Sequence, residues 1–345
     1  MTFHRTLTMA SAFATAFALT ACGGGQTGVI STPVAPIVTP IVTTATSIAA
    51  PAKATVPNSN LFPVATVGGD TITTHPPTTF PLLQSAITID SAGVRPDTAT
   101  NGAGSTLAFG SGSSSYVLST ANSSLGLTNV KLDPTPSGVF QGDSNGKHVS
   151  LEIEDSAAAG LSWTSFGFWD AAQPNGARTQ AAFVTGYVTP SGSLPTTGTA
   201  NYLGAVRGEV IQPKAGRENG VNYLSLSGTA YLDVDFATGI LNGTLSNMWA
   251  FDFDGHGVQW NAVSLTGTFA GPNMFGGTTK VQGLYPGIAG LNTNATGTFA
   301  GAFFGPHGEE LGAVWSLSDG AGAAFGTIGA KVCTAPCGPP GPWDY

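Results

Sequence analysis

The chain has 345 residues, only 9% of them charged, and its 48 Gly and 23 Pro make up about 21% of it against a usual ~12%. Helical bundles and coiled coils need far more Lys, Arg and Glu, and a formal net charge of -8 would repel a phosphate backbone, which excludes nucleic acid as a partner. The Gly and Pro share stops short of the ~25–30% typical of chains disordered throughout, and 41% hydrophobic residues with 19 Phe suffice for a core, so a Gly-rich all-β protein is expected.

Residues 1–21 read as a secretory signal. A short basic start, Met1 to Arg5, precedes an apolar stretch from Leu7 to Leu19, too short to span a bilayer, which takes ~20 residues. Leu19-Thr20-Ala21-Cys22 looks like the lipobox of bacterial lipoproteins, which would make Cys22 the lipidated N-terminus; the alternative is an ordinary signal peptide with an incidental Cys. Cys22 is the only Cys in the first 332 residues. Removing residues 1–21 takes Arg5 and no acid, leaving a charge of about -9.

Residues 22–79 read as a tether. Lys53 is the only charged residue between Gly23 and Gly69, and Pro33, Pro36, Pro40, Pro51, Pro57 and Pro63 deny the segment a helix or a continuous ladder. Such a disordered N-terminal stalk would hold a folded part away from a membrane.

Residues 80–196 carry short apolar runs between Gly, Ser, Asn and Asp, as a β-rich handle domain would. The expected strands are Ser105–Phe109, Tyr116–Leu118, Val149–Ile153, Leu161–Trp169 and Ala181–Val188, with turns at Asp143 to Gly146 and Pro174 to Gly176. Trp163, Phe166, Phe168 and Trp169 concentrate aromatic area, read as a buried cluster joining two β modules rather than an exposed stacking platform.

Residues 197–332 alternate cleanly. Over Tyr223–Phe236 one face takes Leu224, Leu226, Gly228, Ala230, Leu232, Val234 and Phe236, the pattern of a half-buried antiparallel strand. The same period recurs at Ile240–Asn247, Val263–Phe269, Gly297–Phe303 and Leu311–Leu317. With Ala200–Ile211, Thr278–Leu284 and Ala323–Lys331 this gives about eight strands, as in a small closed barrel. Gly mixed with Phe on the inward face suits the taper of such a barrel; a two-sheet sandwich is the alternative.

At Gly228-Thr-Ala-Tyr-Leu-Asp-Val-Asp-Phe-Ala-Thr-Gly239, Leu241-Asn-Gly-Thr-Leu245, the run from Gly297 through Phe304-Gly-Pro306 and Glu310 to Gly312, and the closing Phe325-Gly-Thr-Ile-Gly-Ala-Lys331, the chain resembles the transferrin-binding-protein-B-like β-barrel lipoproteins of Gram-negative bacteria, of the type exported by Slam machinery. Leu161–Trp169 and Thr197 to Gly204 look like that family's handle–barrel junction. The resemblance implies an eight-stranded antiparallel barrel preceded by a handle, lipid-anchored to the outer membrane and exposed at the cell surface. It further implies a non-enzymatic binder of a host protein or an iron- or haem-bearing carrier, with no cofactor of its own. One handle–barrel lobe is present where the transferrin receptors have two, Ala313 stands where the family has a second Gly, and Thr327-Ile328 interrupt the closing Phe-Gly-Ala-Lys. The ligand-binding residues are unknown from the sequence; a structural or assembly lipoprotein of the envelope is the other reading.

No catalytic motif stands out, and His-Glu-x-x-His and the phosphate-cradling Gly-rich loop are missing. Asp233/Asp235 and Glu152/Glu154 are the close alternating carboxylate pairs that a hydrolase would use. Asp252-Phe-Asp254-Gly255-His256 starts like a calcium loop, but its fifth and twelfth positions hold His256 and Val263, so a hairpin turn is expected there. His307, Glu309 and Glu310 could be metal ligands and read instead as turn residues, so no metal site is assigned. In the tail, residues 333–345, Cys333 and Cys337 read as a small disulfide loop, with metal or redox chemistry as the alternative.

Overall fold

The computed structural model describes residues 78–333 and Cys337, apart from residues 98, 100–103, 110–114, 122–124, 136–137, 155, 157–158, 215–219, 283–290, 293 and 334–336. The expected signal peptide, Cys22 and tether therefore lie outside the described residues, except for the last positions before the handle. All described elements are strands.

The first ten form one antiparallel sheet: β1 (Thr78–Pro81), β2 (Leu83–Asp90), β3 (Gly93–Pro96), β4 (Thr106–Phe109), β5 (Tyr116–Ser119), β6 (Val130–Pro134), β7 (Phe140–Ser144), β8 (Lys147–Ile153), β9 (Thr164–Ala172) and β10 (Arg178–Gly186). Their order is β1-β4-β5-β6-β7-β8-β9-β10-β2-β3. Only Leu82 separates β1 from β2, yet β1 pairs with β4 and β2 pairs with β10. One extended stretch thus bridges both flanks of the sheet and wraps it around a core of Phe80, Leu107, Tyr116, Leu132, Val149, Trp169 and Phe183. The turn expected at Asp143 to Gly146 joins β7 to β8, with Asn145 and Gly146 both at positive φ (51° and 75°), the backbone that a two-residue hairpin requires.

The barrel is made of β11 (Thr199–Pro213), β12 (Val221–Asp235), β13 (Ile240–Phe251), β15 (Ala262–Phe269), β16 (Met274–Gln282), β17 (Thr296–Phe304), β18 (Glu310–Ser318) and β19 (Ala323–Val332), with the short β14 (Gly257–Gln259) added to the far end of β13. Because β11 pairs with both β12 and β19, and β12 with β13, the ring of eight closes without an edge, which removes the sandwich alternative. The inward face predicted for β12 is buried in the barrel core with Leu241, Leu245, Phe275, Phe299, Phe303 and Trp315. Glycine on that face makes room for rings: a Cβ at Gly301 would lie 2.2 Å from the Phe275 ring, and one at Gly267 would lie 2.7 Å from Phe299.

The pleat of β13 reverses at Asn247 (φ 50°), an extra residue opposite the Ser227–Thr229 step of β12. Before this bulge Leu241 and Leu245 point inward; after it Met248 and Ala250 do, which turns Trp249 out. The expected strand end at Asn247 is therefore a bulge, and the strand continues to Phe251.

The handle lies on the outer faces of the barrel strands through two apolar clusters. Leu83, Phe166 and Val184 meet Met274, Ala302, Phe304 and Val314 in one; Ile87, Ile89, Val94 and Ala182 meet Ile211, Val221, Ala323 and Phe325 in the other. This is why β18 and most of β19 are buried on both faces.

Candidate functional site

The motif Phe304-Gly-Pro-x3-Glu310 is the point where handle and barrel lock. Phe304 packs in the first interface cluster, and the peptide of Gly305 (φ 89°) donates its N–H to the Tyr187 carbonyl at 2.9 Å. Glu310, 4% exposed, sends its carboxylate into the handle to accept three successive backbone N–H groups, from Ser162 (2.5 Å), Trp163 (2.9 Å) and Thr164 (2.9 Å). Burial pushes this carboxyl above its ordinary range, and the three amides pull it part of the way back. Beside it, the outward glycines Gly312 and Gly329 face each other across β18 and β19. A Cβ at Gly312 would meet Val184 at 2.5 Å and Thr164 at 2.8 Å; one at Gly329 would meet Leu161 at 2.7 Å and Phe166 at 2.8 Å.

A charged group sits in the same interface. Asp170 of β9 binds the Arg178 guanidinium of β10, which lies 5.8 Å from the ring centre of Tyr223 on the barrel. Glu209 of β11 joins them with its Oε2 sealed from solvent and without a hydrogen-bond partner. Burial pushes Glu209 up to about 7; Arg178 opposes the shift, and Asp170 and Glu152 add to it. Arg178 is thus paired with Asp170 and reaches Glu209 only through its charge.

At one end of the barrel the β13–β14 hairpin carries exposed apolar residues. Trp249 and Val258 are exposed, and Phe253 at the tip is 103% exposed. Asp252 orders this tip: its Oδ1 accepts the N–H of Asp254 at 3.0 Å and of His256 at 2.9 Å, and Gly255 (φ 81°) donates to the Asp252 carbonyl at 3.0 Å. Ligand atoms of Asp252, Asp254 and His256 lie within 4.8 Å of one another on an exposed surface. The expected hairpin turn at Asp254-Gly255 is in place, shaped by Asp252.

The other residues singled out by sequence fall as follows. Cys22 lies outside the described residues. Cys333 and Cys337 are bonded to each other; Cys333 donates its N–H to the Asn201 carbonyl of β11 (2.8 Å), and Tyr231 Oη of β12 donates to the Cys337 carbonyl (3.2 Å). The four aromatics of Leu161–Trp169 do not form one cluster. Trp169 enters the handle core, Phe166 and Phe168 face the barrel, and Trp163 packs edge-on to Tyr187 at 6.2 Å. Alternation of the strand splits them, and in doing so it joins the two modules as expected. His307 and Glu309 stay in the turn, where Glu309 accepts the His307 N–H at 2.8 Å, while Glu310 leaves it for the handle. Asp233 is hydrogen-bonded to Asn201 (2.6 Å) and Tyr231 (2.8 Å), and Asp235 caps Ala237 N–H (2.9 Å), so each has a local structural partner. Sequence reasoning missed Glu209 and the role of Glu310, whose partners are remote in the chain. It also missed the alternating Trp249-x-Phe251-x-Phe253, which was legible as an aromatic stripe.

Residues 194–332 match the family described as the C-lobe and N-lobe β barrels of transferrin-binding protein B. No curated protein matches the chain in sequence. Similar solved structures include a transferrin-binding protein B variant from Haemophilus parasuis, 22% identical with a TM-score of 0.44 over 72% of this chain and 45% of that one. Another is transferrin-binding protein B from serogroup B Neisseria meningitidis, 20% identical with a TM-score of 0.42 over 73% and 44%. A third is the N-lobe domain of lactoferrin-binding protein B from Moraxella bovis, 12% identical with a TM-score of 0.35 over 60% and 93%. The chain spans less than half the length of the two transferrin-binding proteins.

Proposed function

Residues 194–332 of this chain belong to the β-barrel family of transferrin-binding protein B, and on that premise we propose that the protein is a lipid-anchored binding lipoprotein of a Gram-negative outer membrane. It faces the cell surface and captures a host protein or an iron- or haem-bearing ligand without catalysing a reaction. The family barrel is the observation that carries this reading. The Leu19-Thr20-Ala21-Cys22 lipobox supports an anchor at Cys22, since several acyl chains at ~0.8 kcal/mol per buried CH₂ hold a protein durably without a spanning segment. The family resemblance supports export by Slam-type machinery. We divide the chain into a signal peptide (1–21), a tether from the lipidated Cys22 (22–79), a handle (80–196), a barrel (197–332) and a tail (333–345). The boundary between handle and barrel is supported by the gap between β10 and β11.

Haem titration, followed by pull-down from serum and with haemoglobin, tests the ligand class, and silence in every assay removes the iron-acquisition reading. Protease shaving of intact cells tests display. A chain protected in whole cells and cut after lysis is a structural or assembly lipoprotein of the envelope instead. Cys22→Ala is expected to release the protein from membranes; unchanged membrane fractionation removes the anchor.

A further inference from the structure

Five large apolar side chains are exposed among the described residues, and three of them, Trp249, Phe253 and Val258, fall within one hairpin. Surface apolar residues scattered singly need no explanation, whereas a concentration at a projecting tip does. The chain goes to some length to present it. The Asn247 bulge reverses the pleat of β13 so that Trp249 faces out, alternation then places Phe251 on the same side as Trp249, and Phe253 stands in the turn just beyond the end of the strand. Gly257 leaves the space in which the Phe251 ring lies, since a Cβ there would be 2.7 Å from it. Asp252 accepts two N–H groups and holds the tip in one conformation, so little ordering entropy remains to be lost when Phe253 is engaged.

We propose that the β13–β14 hairpin is the element that docks a protein partner, with Phe253 and Trp249 entering an apolar pocket whose rim is basic. This rests on the host-protein reading above and names its contact site. The occupant follows from charge. Phe253 stands between Asp252 and Asp254, and between Trp249 and Gln259 the hairpin contains no Lys or Arg. The Asp252 carboxyl is held below its ordinary range, first by the His256 N–H, and stays ionised. A basic rim complements these two carboxylates, whereas an anionic lipid surface would repel them and make insertion of the ring costly.

The test uses the full chain in phosphatidylcholine nanodiscs, immobilised, with iron-loaded transferrin, lactoferrin and haemoglobin passed over it at low and physiological salt, and phosphatidylglycerol vesicles as a separate probe. Phe253→Ser is expected to weaken the bound partner about ten-fold or more, as loss of a central aromatic anchor does. Asp254→Lys is expected to slow association and flatten its salt dependence. Both side chains stand in solvent, so melting temperature is the control for folding. A partner that binds wild type and both variants alike overturns the hairpin as the site and leaves host capture standing. Vesicle binding that depends on Phe253 overturns the protein partner in favour of lipid, and absence of binding to all three proteins overturns the inference and host capture together.

Discussion

The Glu310 carboxylate accepts the backbone N–H of Trp163 at 2.9 Å across 147 residues of sequence. It is the centre of a three-amide cradle that ties the first turn of the barrel's β18 to the entry of the handle's β9. A buried acceptor serving three donors is hard to replace, because each N–H left without a partner carries the cost of its own desolvation.

Glu310→Ala is therefore expected to lower stability by about 2–4 kcal/mol, since it strands three buried donors. Glu310→Gln keeps one acceptor oxygen and is expected to lose about half as much. Urea denaturation of both variants, with limited proteolysis reporting on residues 154–164, reads the difference. Equal stability of Glu310→Ala and wild type would remove the latch.

Gly312→Val and Gly329→Val put branched side chains where even a Cβ would come within 2.5 Å of Val184 or 2.7 Å of Leu161. The barrel interior is on the opposite face, so the strain falls on handle docking, at about 1–3 kcal/mol for each substitution. Hydrogen exchange is expected to rise in β9 and β10 while the inward strands of the barrel keep their protection. Uniform loss across both modules would show instead that the barrel itself had failed.

Glu209 predicts a pH dependence. Its carboxyl moves from 4.5 up to about 7 on folding, so between those values the folded chain holds a proton that the unfolded chain releases. That contribution is fully present below pH 4.5 and is lost as pH rises through 7, to an extent of up to about 3 kcal/mol at ~1.4 kcal/mol per unit. Burial also raises Asp170 and Glu310, so the wild-type curve contains more than one group. The difference between wild type and Glu209→Gln isolates this one. Chemical denaturation at pH 5 and pH 8 is expected to show the variant gaining on wild type at the higher pH, and parallel curves would sink the assignment.

Asn247 occupies a left-handed backbone (φ 50°) that Gly adopts freely and a β-branched residue does not. Asn247→Gly is expected to fall within about 0.5 kcal/mol of wild type and Asn247→Val to lose about 1–2 kcal/mol by thermal melting. If Val is tolerated as well as Gly, the bulge does not control the phase of β13.

The barrel was largely legible in the chain because most of its strands, β18 and β19 apart, face solvent on one side over much of their length. Leu224 through Phe236 alternate for that reason, and the buried face assigned to them is the face that fills the core. The handle was legible only in part. β2 is buried almost throughout, with Leu83 and Ile87 against the barrel and Ala86 in the handle core, so no period of two survives in its sequence. β6 and β7 are short and polar, and nothing in them separates strand from loop until their partners are known.

Local sequence was enough to determine strand period, the turns at Asn145-Gly146 and Asp254-Gly255, and the inward mixture of Gly and Phe, because each of these depends on residues a few positions apart. Which wall of the barrel would be covered was decided by the tertiary structure alone. Gly312 and Gly329 are ordinary strand glycines until Val184 and Phe166 lie on them, and Glu310 is an ordinary turn acid until the amides of Ser162, Trp163 and Thr164 are brought to it. Trp249 would likewise continue the inward face of Leu241 and Leu245, but one extra residue at Asn247 turns it outward. Such contacts join groups far apart in the chain, and their energies arise from desolvation and close approach, which have no counterpart in local propensity.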